Sequence, residues 1–301
     1  MHSIDEARAR LARLDLPAGS VARELSIGDE TIRFEGLSAA FAGTLEARWG
    51  GYLSAATTGP ARITVRVVRG DGNSWLPHWR PGESYRIEAD AVAGPLVVRS
   101  YHFALGPEVS GTWRLAVEAG DSEPVGRVLD NAARYFVARV ALERGGLAVH
   151  GAGVRRGREA WVFTGKSGAG KTTATRLSAP AQSMGDDFAV MIPHSDGWAA
   201  AALPFDNTEK APRVAVTGLI PLAGVFRLFQ SDRHMLERPS GVWAQASILS
   251  CAAFPWALPD LSARAGESVA RLAASGLFGH LHFAQDPGFW SLLPPPERRR
   301  L

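Results

Sequence analysis

Eight consecutive residues, Gly165-Lys166-Ser167-Gly168-Ala169-Gly170-Lys171-Thr172, fit the pattern G-x-x-x-x-G-K-[ST] at every fixed position. Trp161, Val162 and Phe163 precede them as a short apolar run that reads as a buried strand, and the stretch from Thr172 to Leu177 can open a helix. Strand, glycine loop and helix in that order predict a phosphate-binding loop. Gly165, Gly168 and Gly170 let the backbone bend so that successive N–H groups point at one anion, and the helix start adds partial positive charge. Lys171 then supplies a point charge to the outer phosphates and Thr172 a hydroxyl ligand for Mg²⁺. The plain alternative is a glycine-rich turn with a solvated lysine.

Carboxylates are needed close to such a loop, because Mg²⁺ takes hard oxygen ligands and transfer to a hydroxyl benefits from a base. Asp186-Asp187 follows Lys171 by fifteen positions, just before the apolar run 188–192. Two adjacent carboxylates at a strand end point in different directions, so one can serve a metal and the other an acceptor; a polar turn at Gly185-Asp186-Asp187 is the competing reading. His150 sits on the first of two predicted strands, 147–154 and 159–163, joined through Gly157 as a hairpin that leads into the loop. A satisfied surface histidine and a catalytic one are both open for it.

The chain of 301 residues exceeds one ordinary core, which predicts two domains. A Gly/Asp/Ser/Pro cluster at 120–124 marks the boundary, giving an N-terminal α+β domain over 1–121 and an α/β domain over 122–301 that ends in a proline and arginine tail. In the first block, Ser3 and Glu6 have capping-box spacing ahead of a short amphipathic helix. Leu37, Phe41, Leu45, Trp49 and Leu53 repeat every four positions as a second helix, and alternating runs at 63–67, 85–88, 97–103 and 112–117 predict a small, largely antiparallel sheet. The aromatic connection from Trp75 to Pro81, with His78 and Trp79, reads as a cover over a sheet edge or as a binding loop.

In the second block, Val125 to Leu142 carry a helical stripe ending at Gly145-Gly146, expected to pack on the sheet that carries the loop. Strands are further predicted at 198–203, 219–229 and around Leu281 and Phe283, and helices over 242–254 and 268–277.

A net charge of +3 with both signs interspersed gives no basic stripe, so nucleic-acid binding is not expected. Cys251 is the single cysteine, which excludes an internal disulfide and fits a reducing compartment. No run has the roughly 18 apolar residues of a membrane span, and the start lacks a secretory h-region, so the expectation is a cytoplasmic protein without membrane contact.

The combination of Leu147-Ala148-Val149-His150-Gly151, a hairpin, the loop through Thr173, and Gly185-Asp186-Asp187 resembles the C-terminal catalytic domain of HPr kinase/phosphorylase and the kinases related to it. Their fold is shared with ATP-dependent phosphoenolpyruvate carboxykinases. The resemblance spans roughly residues 122–290, and its motifs are specific between 147 and 190. It implies a mixed-sheet α/β kinase domain of that type using ATP and Mg²⁺. The segment Gly165 to Thr173 would hold nucleotide, His150 would contact an active-site carboxylate, Asp186 would act as base, and Asp187 with Thr172 would hold the metal. Leu203-Pro204-Phe205 matches weakly a family turn of Gly-x-Pro-Phe type, and Lys210 or Arg213 is the basic residue for the outer phosphate.

The family's oligomers make a homo-oligomer the matching expectation. No counterpart of the Ile-Glu-Ile-Arg-Gly signature of the bifunctional enzymes is present, so phosphorolysis is not expected. The acceptor implied is a Ser or Thr hydroxyl of a peptide or small protein. A small-molecule alcohol, or a nucleotide-regulated binding module without transfer, are the alternatives.

Overall fold

The computed structural model describes residues 3–77, 85–92, 94–118, 123–195, 197–205, 217–253 and 257–293. The described chain is mixed α/β and falls into two compact units, the first built mainly from the chain up to Val140 and the second mainly from Ala141 onward.

The first unit begins with α1 (Ile4–Arg13), closed by the capping box that the spacing predicts: Glu6 N donates to Ser3 Oγ at 3.1 Å and Ser3 N to Glu6 Oε2 at 2.6 Å. Next come β1 (Val21–Ile27), β2 (Glu30–Leu37), α2 (Ala39–Trp49), β3 (Leu53–Ala55), β4 (Ile63–Arg69), β5 (Glu88–Asp90), β6 (Val97–Arg99), β7 (Phe103–Pro107), β8 (Thr112–Val117) and α3 (Val125–Glu143). The strands form one eight-stranded sheet in the order β3-β1-β2-β4-β8-β7-β6-β5.

Five of this sheet's seven pairings are antiparallel, as expected of a largely antiparallel sheet, but it has eight strands where four were predicted. β4 runs parallel to both β2 and β8, because α2 with β3 carries the chain back to the start of the sheet before β4 is laid down. The predicted strand over 97–103 is two strands, broken at Ser100–His102 into a hairpin. Trp75 and Leu76 are buried, with the Arg10 guanidinium 3.7 Å from the Trp75 ring centroid, as a sheet cover requires. His78 and Trp79 lie outside the described residues.

The long helix α3 is where expected, and its aromatic side chains pack within the first unit. Phe136 meets Phe34 and Trp113 edge-on at centroid distances of 6.4 and 5.6 Å, and Tyr135 meets Trp113 at 6.0 Å. Buried Asp130 accepts from Trp49 Nε1 at 2.8 Å and from the Arg48 guanidinium, tying α3 to α2.

Beside α3, Glu123 accepts from Tyr85 Oη at 3.3 Å and from Asn131 Nδ2 at 3.2 Å, and burial pushes its carboxyl up to about 7 from 4.5. Below pH 4.5 the carboxyl is protonated whether the chain is folded or not. Between 4.5 and about 7 the folded chain keeps a proton that the unfolded chain releases, so stability falls with rising pH and the loss is complete above 7. At 1.36 kcal/mol per unit, discounted for partial solvent screening, the loss is about 2 kcal/mol. Glu123→Gln is therefore expected to match the parent at pH 4.5 and exceed its unfolding free energy by about 2 kcal/mol at pH 8, measured by urea denaturation.

The second unit contains β9 (Leu147–Arg156), β10 (Glu159–Thr164), α4 (Lys171–Leu177), β11 (Gln182–Gly185), β12 (Phe188–His194), β13 (Gly197–Ala201), β14 (Leu219–Gln230), β15 (Met235–Glu237), α5 (Gly241–Leu249), α6 (Ser262–Ala274) and β16 (Phe278–Phe283). Gly157, at φ 65°, turns the β9–β10 hairpin as its sequence predicts. The sheet is again mixed. β10 is antiparallel to β9 and parallel to β14, which is parallel to β16, while β11 and β12 pair in succession with β9.

Trp161, Phe163, Phe226, Leu281 and Phe283 form one core with Ala174 of α4, closed by Phe289 and Leu293. β11 and β15 have no counterpart in the sequence reading, since four and three residues are too few to show alternation. No described helix is long and apolar enough to cross a membrane.

Candidate functional site

Because β10, β14 and β16 are mutually parallel, their C-terminal ends share one edge of the sheet, and the glycine loop leaves β10 at that edge. Gly165, Gly168 and Gly170 have φ of 150°, 79° and 101°, conformations that side chains strain to adopt. Two of them are also hemmed in. A Cβ on Gly165 would stand 2.8 Å from the Ala169 methyl, and one on Gly170 2.7 Å from the Phe283 ring.

Lys171 opens α4 and folds back over the loop, its Nζ donating to the carbonyls of Gly165 at 3.0 Å and Lys166 at 3.2 Å. Gln230, the last residue of β14, donates from Nε2 to the Gly168 carbonyl at 2.7 Å. Lys166, Ser167, Gly168 and Thr172 are exposed and Thr173 is half-buried, so the loop presents hydroxyl and ammonium groups to solvent. No carboxylate belongs to it. That donor set, on a backbone bent at three glycines, fits a polyphosphate.

The aspartate pair and the histidine stand at the same level of the sheet. In register, Phe188 faces His150 across β12 and β9, Gly151 faces Thr164 across β9 and β10, and Gly151 N donates to the Asp187 carbonyl at 3.3 Å. At about 4.8 Å between neighbouring strands, the Asp187 backbone stands roughly 10 Å from Thr164, the residue before the loop. The bond from Thr164 Oγ1 to the His150 carbonyl, at 2.6 Å, closes this row, and the Cys251 carbonyl receives His150 N at 2.8 Å.

His150 is exposed, and strand alternation through Ala152 and Val154 places it on the sheet face that carries α4. Asp186 is buried and Asp187 half-buried. Gly185, at φ 132°, is confined by the Phe188 and Leu203 carbonyls, 3.3 and 3.4 Å from where its Cβ would be. The segment Leu203-Pro204-Phe205 adjoins the pair. Leu203 N donates to the Met184 carbonyl at 3.0 Å, and Phe205 packs edge-on against Phe188 at 5.8 Å.

The structure thus brings together the loop, Lys171, Thr172, His150, Asp186, Asp187 and the 203–205 turn. Lys210 and Arg213 lie outside the described residues. Gln230 and Phe283 escape sequence reasoning, since each reaches the loop only through parallel pairing with strands far along the chain. No cluster of three His, Cys, Asp or Glu side chains able to hold a metal occurs among the described residues. A Mg²⁺ ion held with a nucleotide takes one or two carboxylates and fills its remaining positions with phosphate oxygens and water.

Among known proteins, a family model described as SynChlorMet cassette protein ScmC matches residues 123–257. That segment includes β9, the loop, α4 and the aspartate pair, and is less than half of the chain. No curated protein matches the chain.

Proposed function

We propose that the second unit binds ATP with Mg²⁺ and transfers the γ-phosphoryl group to a hydroxyl, with a Ser or Thr side chain of a peptide or small protein as the acceptor class. The observation that carries this reading is the shared level of Thr164, Gly151 and Asp187 on adjacent strands, which sets a polyphosphate-shaped loop beside a carboxylate pair. The likeness of these segments to HPr-kinase-type domains supports the same reading, as does a mixed sheet with a hairpin leading into the loop.

In this mechanism the loop amides and Lys171 hold the β- and γ-phosphates. Thr172 and Asp187 would hold Mg²⁺, which supplies charge neutralisation on the phosphate oxygens. Asp186 accepts the proton of the acceptor hydroxyl as that oxygen bonds to the γ-phosphorus and the bond to the β-phosphate oxygen breaks; ADP leaves. His150 orients the base.

Incubating the protein with γ-labelled ATP, Mg²⁺ and hydroxyl-bearing peptides or proteins tests the proposal. Label recovered as a phosphoester on an acceptor is the expected result. Tight nucleotide binding with no transfer to any acceptor would instead favour a nucleotide-regulated binding module, and label on a small alcohol alone would move the acceptor class.

A further inference from the structure

Many arginines of the first unit are paired with carboxylates, among them Arg10 with Glu118, Arg33 with Glu24, Arg66 and Arg114 with Glu108, and Arg99 with Glu88. The tip of the β9–β10 hairpin breaks this habit. Arg155, Arg156 and Arg158 form no ion pair with any described residue; Arg155 Nε donates to the Gly157 carbonyl at 3.0 Å, and Arg156 lies 4.7 Å from the Trp290 ring centroid. Arg156 and Arg158 are exposed and Arg155 half-buried. Beside them opens a cleft of about 420 Å³ lined by Arg155, Arg156, Gly157, Pro180, Ala181 and Gln182.

The cleft is connected to the candidate site by a short length of chain. β11 starts in it, with Gln182 in register with Arg155, and ends at Gly185, immediately before Asp186. Four residues of extended chain at about 3.3 Å each cover roughly 13 Å.

We propose that this cleft docks an acidic segment of the peptide acceptor, about four extended residues from the hydroxyl presented to Asp186. The distance part rests on the kinase reading; the docking part does not. Guanidinium forks match carboxylates in bidentate geometry, and three of them at one hairpin tip select for clustered Asp or Glu. Nucleic acid fits less well, because the Trp290 face that would stack a base is already covered by Arg156, and three charges release few counterions.

The test is fluorescence anisotropy of labelled hexaglutamate with the full chain at low salt, alongside a MgATP titration of the same preparations. Two variants are compared with the parent: Arg155→Glu/Arg158→Glu, which leaves the Trp290 contact intact, and Arg155→Glu/Arg156→Glu/Arg158→Glu. Saturable binding by the parent, weakened about tenfold or more in both variants with MgATP affinity unchanged, is the expected result. Absence of hexaglutamate binding, or equal binding by parent and variants, overturns the proposal. Capture of oligouridylate or of phosphatidylserine vesicles through these arginines, with hexaglutamate ignored, overturns it equally. Hexaglutamate bound through the arginines by a protein that binds no MgATP would uphold the docking site and sink the kinase reading.

Discussion

Replacing Lys171 by Ala is expected to lower ATP turnover by three or more orders of magnitude, measured as ADP formed with a competent acceptor, and to weaken ATP binding by tenfold or more. The ammonium lies over the loop, 3.0 Å from the Gly165 carbonyl and 3.2 Å from the Lys166 carbonyl. In the proposed mechanism it supplies positive charge to the β- and γ-phosphates. Three orders of magnitude correspond to about 4 kcal/mol, the size of effect seen when one preorganised donor is removed from a charge-developing site. Folding should suffer little, because Lys171 is only half-buried. A variant that folds like the parent and turns over within tenfold of it would remove the lysine from the mechanism.

Asp186→Asn should separate chemistry from binding. Asn keeps the shape of the side chain but cannot take a proton, so turnover is expected to fall by about 10²–10⁴-fold while ATP affinity stays within about threefold. Asp187→Asn is the companion variant. It should raise the Mg²⁺ concentration needed for half-maximal rate, because it removes a ligand charge and leaves the base in place. The buried setting of Asp186 and the more open one of Asp187 agree with this division. If the rate loss follows Asp187 and the metal effect follows Asp186, the two roles exchange and the site stands; if both variants keep full rate, the carboxylates have no part in transfer.

The site was legible in the sequence to the extent that it is local. The loop, its flanking strand and helix, the hairpin through Gly157 and the aspartates after Gly185 all sit within forty residues of one another, where spacing and glycine positions carry the geometry. Gln230 was not legible: its bond to Gly168 exists because β14 lies parallel to β10, a pairing between segments about sixty residues apart that no local pattern announces. In the first unit, β1 and β2 turn at Gly28-Asp29, and Gly28 at φ 63° is an ordinary hairpin signal that the helical spacing from Leu37 onward obscured.

Partner choice is the other class of failure. α3 was legible as a helix with an apolar stripe, but its aromatic neighbours were not, since Phe34 and Trp113 lie 102 and 23 positions before the Phe136 they meet. The parallel pairings of β4 were hidden for the same reason, since alternation reports which face of a strand is buried and says nothing of its neighbours' direction.

The proposed phosphoryl transfer depends on the Gly165–Thr172 loop holding a nucleotide polyphosphate. Isothermal titration of the full-length protein with ATP, ADP and AMP in the presence of Mg²⁺ measures that directly. The account predicts saturable binding of ATP and ADP at micromolar concentrations, with AMP weaker by two orders of magnitude or more, because the loop grips the β-phosphate that AMP lacks. Equal affinity for all three nucleotides, or no binding of ATP at millimolar concentration, would contradict it and leave the loop as a glycine turn between a strand and a helix.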